Sequence, residues 1–408
     1  MSQGRILAFV LGMVLLGGCG GGANTESASG GSPAPAPAPP APAPAPVCLG
    51  SFLGQNRLLI GGQMEDTTAQ AAPFDLRYTY VTGGLSPRAT CHNDCQVDAS
   101  CGQWWGCWQD PSLPPGQRIR DFLAKTEQVT SWQGQSLRQR PWLSYYQWFY
   151  AAGYKEGAAE VQALNDAQRL RNYLDDWRFL LQQVGTTPVI LHIEPDLWGF
   201  VRDQNADPHQ LPAPVRQAAG MDCQDQEDSV AGLARCMLKM ARIYAPQAAL
   251  AIHASPWYYH MPGDAQALTQ FMKELVGEQA DIWVTDPSDR DAGYYLATGM
   301  DRTWNIWDES KARLYLDWSA QLYVASGKPM ALWQLPLGNS LQNNTPNHWK
   351  DNRVEWLFAH TEDVVQAGIG ALLFGAGQPD QTLPETDGGL FVQSTIHLWQ
   401  KGGQPLCP

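Results

Sequence analysis

Short, nearly continuous apolar runs punctuate this chain, and longer segments with helical spacing lie between them. The runs are Leu58–Met64, Leu76–Val81, Trp142–Phe149 (opened by Pro141), Pro188–Glu194, Ala248–Ala254, Asp281–Thr285, Pro329–Gln334 and Ile369–Phe374. Runs of this length with little alternation suit parallel strands buried on both faces. Between them, apolar residues recur every three or four positions: Val161, Leu164, Leu170, Leu174, Trp177 and Leu181; then Val230, Leu233, Met237, Met240 and Tyr244; then Leu268, Phe271, Met272 and Leu275. Shorter stripes follow at Leu314, Trp318 and Leu322 and at Val354, Leu357 and Phe358. Such stripes are the core-facing sides of amphipathic helices. Eight strands alternating with helices is the count of a (β/α)8 TIM barrel, an α/β fold, here a single domain over residues 48–408. A doubly wound open sheet is the competing arrangement, but no glycine-rich phosphate loop follows the first strand. Residues 83–139 fit the alternation least. That stretch is rich in Cys and Trp, and only Ile119–Val129 reads as helix.

The N-terminus follows a different pattern. Arg5 precedes an apolar stretch, Ile6–Leu16, which is too short to span a bilayer. Leu16-Gly17-Gly18-Cys19 resembles the lipobox of bacterial lipoproteins, which implies a signal peptide over 1–18 and a lipidated Cys19 as first mature residue. Gly20 is not Asp, so that family's inner-membrane retention signal is absent. Residues 19–47 are Gly, Ser and Ala followed by repeated Pro-Ala, a composition that forms an extended tether and no packed core. The expected location is extracytoplasmic, lipid-anchored to the cell envelope, and at the outer membrane in a Gram-negative cell.

The cysteines agree with export. Nine are present, and setting Cys19 aside leaves an even number for disulfides. Cys48 and Cys407 flank the domain. In a closed barrel the first strand and last helix are neighbours, which predicts a bridge between these two. Cys223 and Cys236 flank a helix start. Cys91, Cys95, Cys101 and Cys107 crowd one loop and allow three pairings. A zinc site is the alternative there, but the paired C-x-x-C spacing is missing, so no metal and no other cofactor is expected. The formal net charge of −13 argues against nucleic acid as a partner. The expected assembly is a monomer that touches the membrane through its lipid alone.

In barrels, functional side chains collect at the C-terminal ends of the strands. There this chain places Glu65, Tyr146, Trp148, His192, Glu194, Asp196, Trp198, His253, Trp257, Asp286, Trp333 and Gln334. Carboxylates between aromatic walls are what glycosidic cleavage requires: one carboxyl protonates the leaving oxygen, and a second activates water or attacks the sugar. Alternation places Glu194 on the same side as His192, and Asp286 follows Ile282 and Val284 in step. Glu194 is therefore the expected general acid and Asp286 its companion. The remaining residues are expected to contact substrate, with Trp148, Trp198, Trp257 and Trp333 lining a groove.

Glu194-Pro195 resembles the Glu-Pro of the Asn-Glu-Pro motif in the large clan of barrel glycoside hydrolases that includes many cellulases and mannanases. That resemblance implies an acid/base Glu at strand four. The motif's Asn is Ile193 here, and Gln334 stands where the clan has its nucleophilic Glu, so the two-Glu retaining mechanism is not implied. Glu194-Pro195-Asp196 also resembles a Glu-Pro-Asp motif of family 6 cellulases, which are inverting enzymes. Two readings follow: a polysaccharide hydrolase, or a carbohydrate-binding or surface-interaction protein on a barrel without catalysis.

Overall fold

A computed structural model describes residues 48–407 except 109, 256–263, 289 and 300–306. The expected signal peptide and tether, Cys19 and Trp257 lie outside the described residues. Eight parallel strands close into a barrel: β1 (Leu59–Gly62), β2 (Leu76–Val81), β5 (Arg140–Tyr145), β6 (Ile190–Ile193), β7 (Ala249–His253), β8 (Ile282–Thr285), β9 (Met330–Leu335) and β10 (Ile369–Phe374). Their order around the barrel is β1-β10-β9-β8-β7-β6-β5-β2. A separate antiparallel hairpin, β3 (Thr130–Trp132) and β4 (Gln135–Leu137), precedes β5. The fold is therefore the (β/α)8 barrel that the apolar runs predict.

Nearly every barrel strand residue is buried, because helices cover the outer face while side chains fill the interior. The helices begin where capping chemistry allows. The side chains of Asp166, Ser229, Asp264 and Asp308 accept backbone N–H groups at the starts of Ala167–Val184, Val230–Tyr244, Ala265–Val276 and Glu309–Ser326.

Two expectations need correction. The third barrel strand is Arg140–Tyr145, and Trp148–Ala151 is a helical turn. The aromatic run hides this boundary, because Trp148 and Phe149 are as apolar as the strand before them. The stretch 83–139 contains two 3-10 turns, the helix Gln117–Glu127 and the β3–β4 hairpin.

Four disulfides form: Cys48–Cys407, Cys91–Cys101, Cys95–Cys107 and Cys223–Cys236. The predicted bridge between the domain's ends is present, with 4.6 Å between its Cα atoms. The two bridges in the crowded loop select one pairing of three. That loop is fastened to the barrel by a buried carboxylate. Asp176, on the helix Ala167–Val184, accepts the indole N–H groups of Trp104 and Trp105 and the hydroxyl of Tyr145. Burial pushes its pKa up to about 7, although these donors pull the other way.

Candidate active site

The barrel interior is polar towards its C-terminal end. Trp333 on β9 packs against His192 on β6, His253 on β7, and Tyr78 and Tyr80 on β2. None of these strands is hydrogen-bonded to β9, so the contacts cross the lumen. Beside the indole runs a continuous chain of polar side chains. Ser144 Oγ lies 3.2 Å from His192 Nδ1, His192 Nε2 lies 3.0 Å from His253 Nδ1, and His253 Nε2 lies 2.8 Å from Asp286 Oδ1. Ser144, His192, His253 and Asp286 are all buried. Burial, reinforced by the neighbouring His253, holds the His192 pKa well below its ordinary value, so this imidazole is neutral.

Above this floor stands Asp196, in the turn that follows β6, partly exposed. Burial raises its pKa to about 6. The charge of Asp286 adds to the rise, while His253 and a hydrogen bond from Tyr146 oppose it. Gln334, next to last in β9, donates from Nε2 to the Tyr80 hydroxyl at 2.8 Å. Its φ of +57° is a left-handed conformation that costs a side-chain-bearing residue energy. Gly375, at the end of β10, leaves room for Tyr78: a Cβ there would sit 2.0 Å from the phenol oxygen.

The structure thus gathers Tyr146, His192, Asp196, His253, Asp286, Trp333 and Gln334 at one end of the barrel. It does not bring Glu194 to the same place. Glu194 has φ +46°, which breaks the alternation just past the strand and turns the side chain away from the His192 side. Its Oε1 accepts the backbone N–H groups of Gln147 and Trp148 at 3.0 and 2.9 Å and the Tyr173 hydroxyl at 2.8 Å. Tyr173 belongs to the outer helix Ala167–Val184, so the carboxyl sits between strand ends and helix layer, 0% exposed. Burial raises its pKa to about 8. Nearby Glu160 is also buried, and its pKa rises to about 9, from burial first and then from the charges of Glu194 and Asp196.

Trp148 and Trp198 are also displaced from the expected groove. Both are fully buried, with indoles donating to the carbonyls of Glu160 and Ile193. They fill space behind the strands and offer no face to a ligand. Glu65 is exposed at the start of the helix Asp66–Ala71, where its backbone N–H donates to Glu385.

Sequence reasoning missed Ser144, Tyr80 and Glu160. Ser144 and Tyr80 were legible in principle, since period two puts Ser144 with Trp142 and Tyr80 with Tyr78 on lumen-facing positions. Nothing in the sequence around Glu160 distinguishes it from a solvated helix residue. Among the described residues, no group of three or more His, Cys, Asp or Glu is arranged to hold a metal ion.

No protein-family model matches this sequence, and no curated protein matches it. Solved structures do resemble it. One is XEG5B, a GH5 xyloglucan-specific beta-1,4-glucanase from a ruminal metagenomic library: 10% identity, 81% of this chain and 86% of that one, TM-score 0.46. A second is endo-glycoceramidase II from Rhodococcus sp. in its ganglioside GM3 complex: 9% identity, 83% and 79%, TM-score 0.44. A third is the endoglucanase Cel6 from Mycobacterium tuberculosis: 14% identity, 48% of this chain, TM-score 0.28. The chain spans about half the length of that endoglucanase, 51% of it.

Proposed function

We propose that the protein is a glycoside hydrolase acting on a polysaccharide, with Asp196 as general acid and Asp286 as second carboxylate. The observation that supports this most is the placing of two carboxyls in unequal environments at one rim, around His253. Asp196, raised to about 6, retains a proton in mildly acidic solution. Asp286 Oδ1 faces His253 Nε2 at 2.8 Å, the placing of an acceptor carboxylate. That division is what the reaction asks for: one group protonates the leaving oxygen, and the other activates water or attacks the anomeric carbon. Glu194, closed off from solvent, is not in a position to do either.

A run of aromatic rings leading outward from this rim favours a chain-like substrate. Tyr146 stacks on Phe149 with 6.0 Å between centroids and 10° between planes. Phe149 meets Tyr150 and Tyr154 edge-on at 5.3 and 5.7 Å. Tyr154 is 71% exposed and held at φ +61°. Exposed aromatic faces of this kind stack on the apolar faces of pyranose rings. Incubation of the purified protein with a broad set of polysaccharides, followed by assay of new reducing ends, tests the reading. Tyr154→Ala is expected to weaken chain binding by about 2–10-fold, the range of one aromatic contact. A wild type that binds chains and releases them uncut would make this a sugar-binding protein instead.

The same proposal places the enzyme outside the cytoplasm, held to the envelope through lipid on Cys19. Cys19→Ala is expected to move the protein from the membrane fraction to the soluble one with an unchanged melting temperature. Retention of the variant in the membrane fraction would rule out this anchor.

A further inference from the structure

We infer that Ser144, His192 and His253 form a positioning relay that fixes the tautomer of His253, so that its Nε2–H is always presented to Asp286. This inference rests on the hydrolase reading above for its consequence in catalysis, but its geometry stands independently.

With both imidazoles neutral, the relay has one consistent direction. A carboxylate accepts only, so the ionised Asp286 requires a proton on His253 Nε2. A neutral His253 then offers a lone pair at Nδ1, which must be met by a donor, and the facing atom is His192 Nε2, 3.0 Å away. His192 with its proton on Nε2 offers a lone pair at Nδ1, and Ser144 Oγ–H faces it at 3.2 Å. Ser144 closes the sequence, because its hydroxyl can donate to that lone pair. Each link fixes the next, and the two imidazole planes are nearly parallel, 26° apart, with Trp333 edge-on to both. His192 never charges in this setting, so the order is not lost on mild acidification.

The effect on Asp286 is directional as well as electrostatic. One carboxylate oxygen is committed to His253, which fixes the plane of the Asp286 carboxylate. Asp196 from the turn after β6, Tyr80 from β2 and Tyr315 from the helix Glu309–Ser326 also sense Asp286, and Arg290 follows in the same loop. None of them substitutes for His253, because its Nε2 alone carries the link to Ser144.

The test uses the full chain with ¹⁵N-labelled histidine. Tautomers read from ring-nitrogen shifts are expected to show the proton on Nε2 of both His192 and His253 and a bare Nδ1 in each. A proton on His253 Nδ1 in the wild type would overturn the relay, whether or not any sugar is cleaved. In activity, His253→Leu is expected to move the acidic limb of the kcat profile up by about one to two pH units, the loss of a hydrogen bond to a charged group. His253→Gln, which keeps an N–H near the same place, is expected to restore part of that shift. Ser144→Ala is expected to mix the His192 tautomers and lower kcat with little change in KM. An acidic limb that stays in place in His253→Leu would refute the proposal. A protein with the expected tautomers and no hydrolytic activity would leave the relay standing and remove the hydrolase reading.

Discussion

Asp196→Asn and Asp286→Asn are each expected to lower kcat on a cleaved polysaccharide by about 10²–10⁴-fold, the usual cost of removing a general acid or base. The two losses should differ in kind. Asp196 must carry a proton and Asp286 must lack one, so the wild-type profile is bell-shaped. Its basic limb lies near pH 6, where Asp196 ionises, and its acidic limb lies where Asp286 gains a proton. Asp196→Asn should flatten the basic limb, and a substrate whose leaving group needs no protonation should recover most of the rate. Asp286→Asn should not be rescued in that way. Glu194→Gln is the instructive contrast. The amide oxygen can accept the same three hydrogen bonds that Glu194 Oε1 accepts, so the loss should stay below about 10-fold. Normal activity in Asp196→Asn together with collapse in a folded Glu194→Gln would transfer the acid role to the buried residue.

The domain should also become less stable as pH rises from about 5 to about 9. Three buried carboxyls have folded pKa values above their ordinary ones: Asp176 at about 7, Glu194 at about 8 and Glu160 at about 9, in each case chiefly through burial. The unfolded chain releases these protons near pH 4, while the folded domain still holds them. The stabilisation is therefore complete below pH 4 for these groups, declines as pH rises from there, and is lost for each group once its folded pKa is passed. Chemical denaturation at pH 5, 7 and 9 measures it, and Glu160→Gln should flatten the upper part of the curve. Stability that climbs across this interval would contradict the placing of these carboxyls.

Glu194 shows why part of the site escapes sequence reasoning. Its strand was the clearest in the chain, and the strand is where the apolar run puts it. The side chain's direction, however, depends on a single φ angle beyond the strand's last residue, and no residue type announces that angle. Gln334 has the same property at the end of β9, yet its amide remains in the mouth, bonded to Tyr80. The tryptophans teach a related lesson. Trp148 and Trp198 lie near strand ends, where a groove-lining residue and one filling the gap between barrel and helices have the same sequence appearance. Asp286 and His253 were legible because they follow their strands in unbroken alternation. The Cys48–Cys407 pairing was legible because closing a barrel makes neighbours of the chain's ends.

That last bridge also determines how the domain meets mechanical load. Cys48 stands at the point where any pull from the preceding Pro/Ala segment reaches the barrel. With Cys48 covalently tied to Cys407, tension is divided at once between β1 and the segment after the helix Leu390–Gln400. The first strand cannot be peeled from β10 and β2 one hydrogen bond at a time. A domain pulled through Cys48 would thus keep the two ends of its barrel joined.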